Sequence, residues 1–297
     1  MINGVSTKQF FLDLKQEIGN DNVFNGAAAL GYYLTLAIFP AMILLMTLIP
    51  YLPIDRVDEA IMDLLGQALP AEASGMVSEV VTEVTSDRRG GLLSFSLVGV
   101  LWAASEGMYA TMQQLNITYD VKEGRSFIRA RAVALLLSVL FGVLVLGAFS
   151  LIVFGGVMQD WIGNRFGFSD ALLTFFVVFR WIVIVLALLL GFAMIYRYAP
   201  NVEQKFTFIT PGSVLGVVLL ILASLGFALY TSKFADYNAT YGSIGAMIIL
   251  MLWLYIAGLV ILVGSELNAL LEHYSSEGKR KGEKKEGEHS GGALPQR

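Results

Sequence analysis

Six stretches of the chain run for twenty residues or more with at most one charge each: 26–52, 92–112, 132–158, 172–195, 211–230 and 243–265. About 17–25 apolar residues in a helix cross the hydrocarbon of a bilayer, so each stretch is long enough to span it. Within hydrocarbon the backbone must satisfy its own hydrogen bonds, which makes these stretches helices. A soluble core can hold one helix that is apolar all round, but six in 297 residues leave too little polar surface to cover it. The pattern predicts an all-α polytopic membrane helix bundle with six transmembrane helices, occupying residues 26–274.

The polar segments between the spans have patterns of their own. Residues 1–25 form an amphipathic amino-terminal segment, with a helix expected over 6–18. Ser6 and Gln9 fit a capping box, Phe10, Leu14 and Ile18 recur on one face, and Gly19 is the expected stop. Two placements are open: flat on the membrane surface, with Lys8 and Lys15 at anionic headgroups, or packed against the bundle. Residues 53–91 are the one large insertion between spans. Val57, Ile61, Leu64 and Leu65 give one helical face, and Met76, Val77, Val80 and Val81 another beyond Pro70. Two short helices forming a small acidic exterior cap are expected there. It is read either as a solvated face or as a docking surface for a periplasmic envelope protein. From 275 to 297 the chain is Gly, Ser, Lys and Glu without apolar periodicity, and a disordered tail is expected.

Composition agrees with the pattern: 56% of residues are hydrophobic and 15% charged, against about 25% charged in ordinary soluble domains. The first apolar run is too long for a signal peptide core, so it is expected to remain as a span. Basic residues choose the orientation. The segments 1–25, 113–131, 196–210 and 266–297 hold fourteen Lys and Arg, and the alternate segments hold five. The positive-inside rule then places both termini in the cytoplasm. A net charge of −4 gives no basic field for nucleic acid.

Enzyme chemistry finds little footing. There is no cysteine, the two histidines are His273 and His289, and no Gly-rich phosphate loop or ligand-spaced carboxylate set is visible. No catalytic residue, metal or cofactor is expected. Polarity inside the spans carries more. Glu106 follows Ser105 in the second apolar run, and Arg180 lies in the fourth. Counted from the exterior edge, they lie about 21 and 13 Å deep at 1.5 Å per residue. They are read either as a pair locking the bundle, with Arg180 alternatively snorkelling outward, or as the polar lining of a substrate path. A lipid-sized cleft lined by either residue would mark the path; a filled bundle with both paired would mark the lock. Pro40 should kink the first span, and Gly31 lies in a small-residue tract suited to tight packing or a hinge.

Specific strings then resemble a known family. Residues 26–40, GAAALGYYLTLAIFP, are followed by Trp102, Ala104 and Ser105, and by Leu115, Asn116 and Tyr119. Next come YRYAPN at 196–201 and YGSIGAMIILMLWLYIAGLVILVGSELNA at 241–269. In this order they resemble the YihY/BrkB family of bacterial inner-membrane proteins. The resemblance implies six spans, cytoplasmic termini and no established enzymatic role. A ribonuclease label has circulated with the family, and so have links to movement of envelope lipids and to serum resistance.

Among the matching residues, Asn116 joins Ser105 as a polar candidate within the bundle. Arg197 and Asn201 flank Pro200, and either cap the fourth span or hold a headgroup phosphate. Gly242 and Gly245 open the sixth span as packing or hinge positions. Glu266, read as closing that span, opposes the helix dipole and calls for a partner such as Arg129 or Arg131. The function expected is transport of envelope lipids or lipid precursors without an ATPase, with membrane lipids as partners. The alternative is a scaffold that recruits an envelope protein through 53–91. The sequence leaves the oligomeric state open.

Overall fold

The computed structural model describes residues 5–48, 90–166, 170–204, 207–233, 235–275, 279–285 and 288. The expected exterior cap lies outside the described residues except at its end. Seven helices and no strand are present among the described residues: α1 Thr7–Asn20, α2 Val23–Leu48, α3 Gly90–Thr118, α4 Phe127–Phe166, α5 Asp170–Tyr198, α6 Pro211–Lys233 and α7 Ala235–Tyr274. Helices α3 to α7 are long and apolar enough to cross a membrane, and Val23–Ile38 of α2 is a shorter apolar helix. Their outward faces are apolar too: Val143, Leu146, Leu222, Leu225 and Leu229 are each more than half exposed. A soluble protein rarely shows so extensive an apolar surface, whereas hydrocarbon covers it without penalty. The chain is a polytopic helical membrane protein.

The chain divides into two units. The first comprises Met1–Tyr32 and Ser105–Arg297. Its core joins Val23, Ala27 and Leu30 of α2, Met112 and Leu115 of α3, Ala130 and Ala134 of α4, Phe192 and Ile195 of α5, Val217 of α6, and Val260 and Leu262 of α7. These residues cluster toward the helix ends nearest the loops 119–126 and 199–210. Two close helix contacts explain why small residues sit there. A side chain at Gly31 would come within 3.2 Å of the Tyr255 backbone, so α2 and α7 touch almost main chain to main chain. A side chain at Gly212 would collide with the carbonyl of Gly264, which fixes the start of α6 against α7. The second unit, Tyr33–Ala104, holds the rest of α2 and the start of α3. There α2 continues as a helix through Pro40, whose ring meets the space a side chain at Gly99 would take, at 3.3 Å.

Helix α1 packs on the bundle. Phe10 and Leu14 are buried against Leu270, with Leu267, Leu271 and Tyr274 of α7 around them. The Tyr274 hydroxyl donates to Asp13 at 2.5 Å. Only half of the capping box forms: Ser6 accepts the Gln9 N–H at 3.2 Å, while the Gln9 side chain donates forward to Asp13 at 2.7 Å. The helix runs past Gly19, and the left-handed residue is Asn22, at φ 50°. Asparagine tolerates that conformation better than most residues, so it can make the turn into α2.

Candidate functional site

The polar side chains within the spans fall into separate places. Glu106 pairs with Arg131 of α4, not with Arg180. Helix geometry accounts for the choice. Glu106 lies about 18 Å from the end of α3, while Arg180 lies about 27 Å from the corresponding end of α5. Arg131 enters from the same end as Glu106, and its long side chain reaches it. The Arg131 guanidinium also lies 5.9 Å from the centre of the Tyr109 ring. The pair is not sealed: the Glu106 side chain is 33% exposed and Arg131 20%.

Arg180 is different. Its Nε and Nη1 are buried and have no hydrogen-bond partner among the described residues. Its nearest aromatic group is Trp181, with the ring centre 6.0 Å from the guanidinium carbon. Ser105 is fully enclosed, at 2% exposure.

Asn116 belongs to a loop lock at one end of the bundle. Its carbonyl accepts the Asn201 N–H at 2.6 Å, and its amide donates to Glu123 at 3.1 Å. Asn201 returns a bond to the Lys122 carbonyl at 3.1 Å. Between them, Arg125 binds the Glu123 carboxylate and donates to the carbonyls of Tyr198 and Ala199 at 3.3 and 2.7 Å. The carbonyls freed where α5 ends are therefore capped by Arg125. Arg197 does not take that role: its Nε has no partner among the described residues, and its guanidinium lies 5.3 Å from the Tyr198 ring. Burial works to raise the Glu123 carboxyl, but the hydrogen bonds and charge of Arg125 outweigh it and hold the group below its ordinary value.

Glu266 is not at a helix end, because α7 continues to Tyr274. The dipole argument fades within the last turn, so it does not apply. Nor is an arginine its partner. Glu266 is 2% exposed, accepts the Thr118 hydroxyl at 3.0 Å, and lies beside the Asp21 carboxyl. Burial and the neighbouring charges of Asp120 and Glu17 push Asp21 up to about 6. Burial raises Asp120 as well, against the opposing charge of Lys281.

Lys281 comes from the segment expected to be disordered. Residues 279–285 lie across this cluster: Lys281 reaches Glu17 at 2.7 Å and Asp120 at 3.7 Å, and Lys279 reaches Glu272 at 2.9 Å. The carboxylates supply what the tail's composition alone does not show, a charged surface to settle on. Between them is a small cavity of about 40 Å³, lined by Glu17, Asp120, Glu266 and Lys281 among others. An open apolar groove lies at the start of α6, bordered by Ile209, Pro211, Val214 and Val218. Neither is lined by Glu106 or Arg180. Gly245 is buried and Gly242 lies within α7. Among the described residues, no group of three or more His, Cys, Asp or Glu side chains is placed to hold a metal ion.

Asp21, Asp120, Arg125 and Lys281 were not singled out from the sequence. Arg125 had a signal, standing two residues after Glu123 in a short loop beyond a span. The others meet only through the fold.

A helical bundle with charged groups inside its spans defines the class, a multi-pass membrane protein. The family described as Virulence factor BrkB matches residues 14–289, and the chain belongs to that family. The chain is 40% identical over 245 residues to the protein of Bacillus subtilis (strain 168) called ribonuclease-like protein YfkH, covering 82% of this chain and 88% of that one. It is 26% identical over 267 residues to a UPF0761 membrane protein of Aliivibrio salmonicida (strain LFI1238), covering 88% and 83%. A UPF0761 membrane protein of Vibrio parahaemolyticus serotype O3:K6 (strain RIMD 2210633) is 25% identical over 273 residues, covering 90% and 84%. No solved structure matches the chain.

Proposed function

We propose that the chain moves an envelope lipid or lipid precursor across or out of the bacterial inner membrane, without an ATPase of its own. Its termini face the cytoplasm, and its substrate is drawn from the surrounding membrane lipid. The observation that carries this reading is the Glu106–Arg131 pair, whose members remain 33% and 20% exposed within two spans. A charge in hydrocarbon costs at least ~2.5–3.5 kcal/mol, so a pair serving only to lock helices gains from being enclosed. A pair left partly open offers a polar foothold for a headgroup passing along the bundle.

The test uses the full chain in vesicles carrying fluorescently labelled phospholipid, with a membrane-impermeant quencher reporting movement between leaflets. The native chain should accelerate that movement, and Glu106→Gln should reduce it while the protein remains folded. No acceleration by the native chain, with phospholipids or with lipid-linked sugar precursors, would remove the transport reading.

The pairing itself favours a second reading, in which the bundle is a scaffold and residues 53–91 recruit an envelope protein. Loss of an envelope phenotype on deleting 53–91, with lipid movement intact, would select it. The ribonuclease word in one relative's name belongs to that protein. For this chain we read no enzymatic role, and RNA degradation by purified protein that disappears with no loss of folding in a point variant would overturn that.

A further inference from the structure

We propose that residues 279–285 are a charge-operated strap, which closes the acidic cavity at this end of the bundle and releases it as ionic strength rises. The device stands apart from the lipid reading above, since it concerns access to the cavity and not what the bundle moves. On the orientation proposed there, the salt it answers to is that of the cytoplasm.

The strap is made almost wholly of charge. Its seven residues are five Lys or Arg, one Glu and Gly282, with no apolar side chain to anchor it. It is nevertheless seated on four separate elements. Lys281 meets Glu17 of α1 at 2.7 Å and Asp120, just beyond α3, at 3.7 Å. Lys279 meets Glu272 of α7 at 2.9 Å, and Lys285 meets Glu203, beyond α5, at 3.1 Å. A main-chain bond adds to these, from the Glu203 N–H to the Lys284 carbonyl at 2.8 Å. The strap's own fold suits this seat. Its chain reverses between Arg280 and Glu283, where the Glu283 N–H donates to the Arg280 carbonyl at 3.0 Å. Gly282 supplies the left-handed residue such a turn needs, at φ 82°.

The cavity of about 40 Å³ lies between strap and bundle. Glu17, Asp120, Glu266 and Ala269 line it from the bundle, and Lys279 and Lys281 from the strap. The charges explain both the closure and its reversal. Carboxyl groups gathered from α1, α7 and the turn after α3 attract the strap together, and the charge of Lys281 acts on Asp21 as well as on Glu17 and Asp120. Yet Lys281 is 44% exposed, and Lys285 and Glu203 are more open still, so counter-ions reach them. Exposed ion pairs are individually weak and are screened by salt. The range of such charges shrinks from ~10 Å at about 0.1 M salt to ~3 Å at about 1 M. Apolar burial would hold the strap in place whatever the salt, and the strap has none to offer. It is therefore closed in dilute salt and open in concentrated salt.

The chain has no cysteine, so one placed at Ala269, within the cavity, reports access there. The measurement is the rate at which a membrane-impermeant maleimide labels Ala269→Cys in the full chain held in lipid nanodiscs. Gln16→Cys, exposed on α1, corrects for any effect of salt on the reagent. In dilute salt the cavity cysteine should label slowly. Adding Lys281→Gln should raise the rate about fivefold, near the most that one exposed pair supports. Lys281→Arg keeps the charge and should label as slowly as the native tail. Ending the chain after Ser275 should raise the rate further. Molar potassium chloride should bring the full chain up to the rate of the shortened one, which itself should not respond.

Slow labelling in the shortened chain would overturn the strap, because the cavity would then be closed without it. A rate in the full chain that salt leaves unchanged would overturn its operation by charge. An equal rise with salt in both chains would place the opening in the bundle and overturn the proposal too. Should the shortened chain fail to fold, judged by its thermal midpoint, the two Lys281 variants carry the comparison, and equal rates in them would overturn it.

Discussion

Arg125 shows how a single side chain fixes a helix end. It is tied to Glu123 and holds two carbonyls beyond α5, and only 10% of its side chain is exposed. Arg125→Met should lower stability by about 2–4 kcal/mol, because it frees the carbonyls and strands the Glu123 carboxylate. Arg197→Met should change stability little. Thermal unfolding of the purified protein separates them, and equal losses would show that the cap is shared. Titration gives a second expectation. Asp21 is raised to about 6 from 3.8, so the folded chain holds that proton at higher pH than the unfolded chain does. Its contribution is complete below 3.8 and is lost as pH rises through about 6. Asp120 is shifted the same way, so the effects add. The unfolding midpoint should fall between pH 4 and pH 7, and Asp21→Asn should flatten that fall; an unchanged slope in the variant would remove Asp21 as its source. The sequence showed Glu106 and Arg180 as charges out of place, because a charge in an apolar run needs no structure to stand out. Their partners were not legible. Pairing depends on which helix ends share a level, and the cluster of Asp21, Asp120, Glu266 and Lys281 joins residues from four distant segments.

The helices themselves were legible for the opposite reason: spans are specified locally, by run length. All six apolar runs are helical where described, and what differs is where they stop. Helices α4 and α7 extend to forty residues each, since no proline interrupts the polar turns beyond their apolar runs. That extension is what moved Glu266 away from a helix terminus and gave α1 the Leu270 face on which to pack. How closely the helices pack was readable at one point, the small-residue tract containing Gly31, and not at Gly212 or Gly264. Gly31→Leu should separate α2 from α7, because the atoms in the way are Tyr255 main chain and cannot rotate aside. Gly147→Ala is the control, with nothing within 4 Å of the added carbon. The first should lower the thermal midpoint and membrane abundance, and the second should leave both intact. Tolerance of leucine at position 31 would mean that α2 is not held at the distance described.

For the molecule as a whole, orientation joins the charge pattern to the fold. The loop 119–126 and the segments 199–204 and 279–285 gather at one end of the bundle, where Asn201 binds Lys122, and Lys281 meets Glu17 and Asp120. They belong to the polar segments that carry most of the Lys and Arg, so the positive-inside rule predicts that this whole end faces the cytoplasm. The structure thus makes the assignment collective: if the loop 119–126 is cytoplasmic, so are α1 and the tail, because they touch it. Reporter fusions after Ser275 and within 113–131 should report cytoplasm, and fusions within 60–85 periplasm. A periplasmic signal from the tail with a cytoplasmic signal from 113–131 would require an odd number of crossings between them, which the contacts of Lys281 forbid. That outcome would overturn both the six-span topology and the docking of residues 279–285. A periplasmic signal from both would keep the fold and reverse it in the membrane.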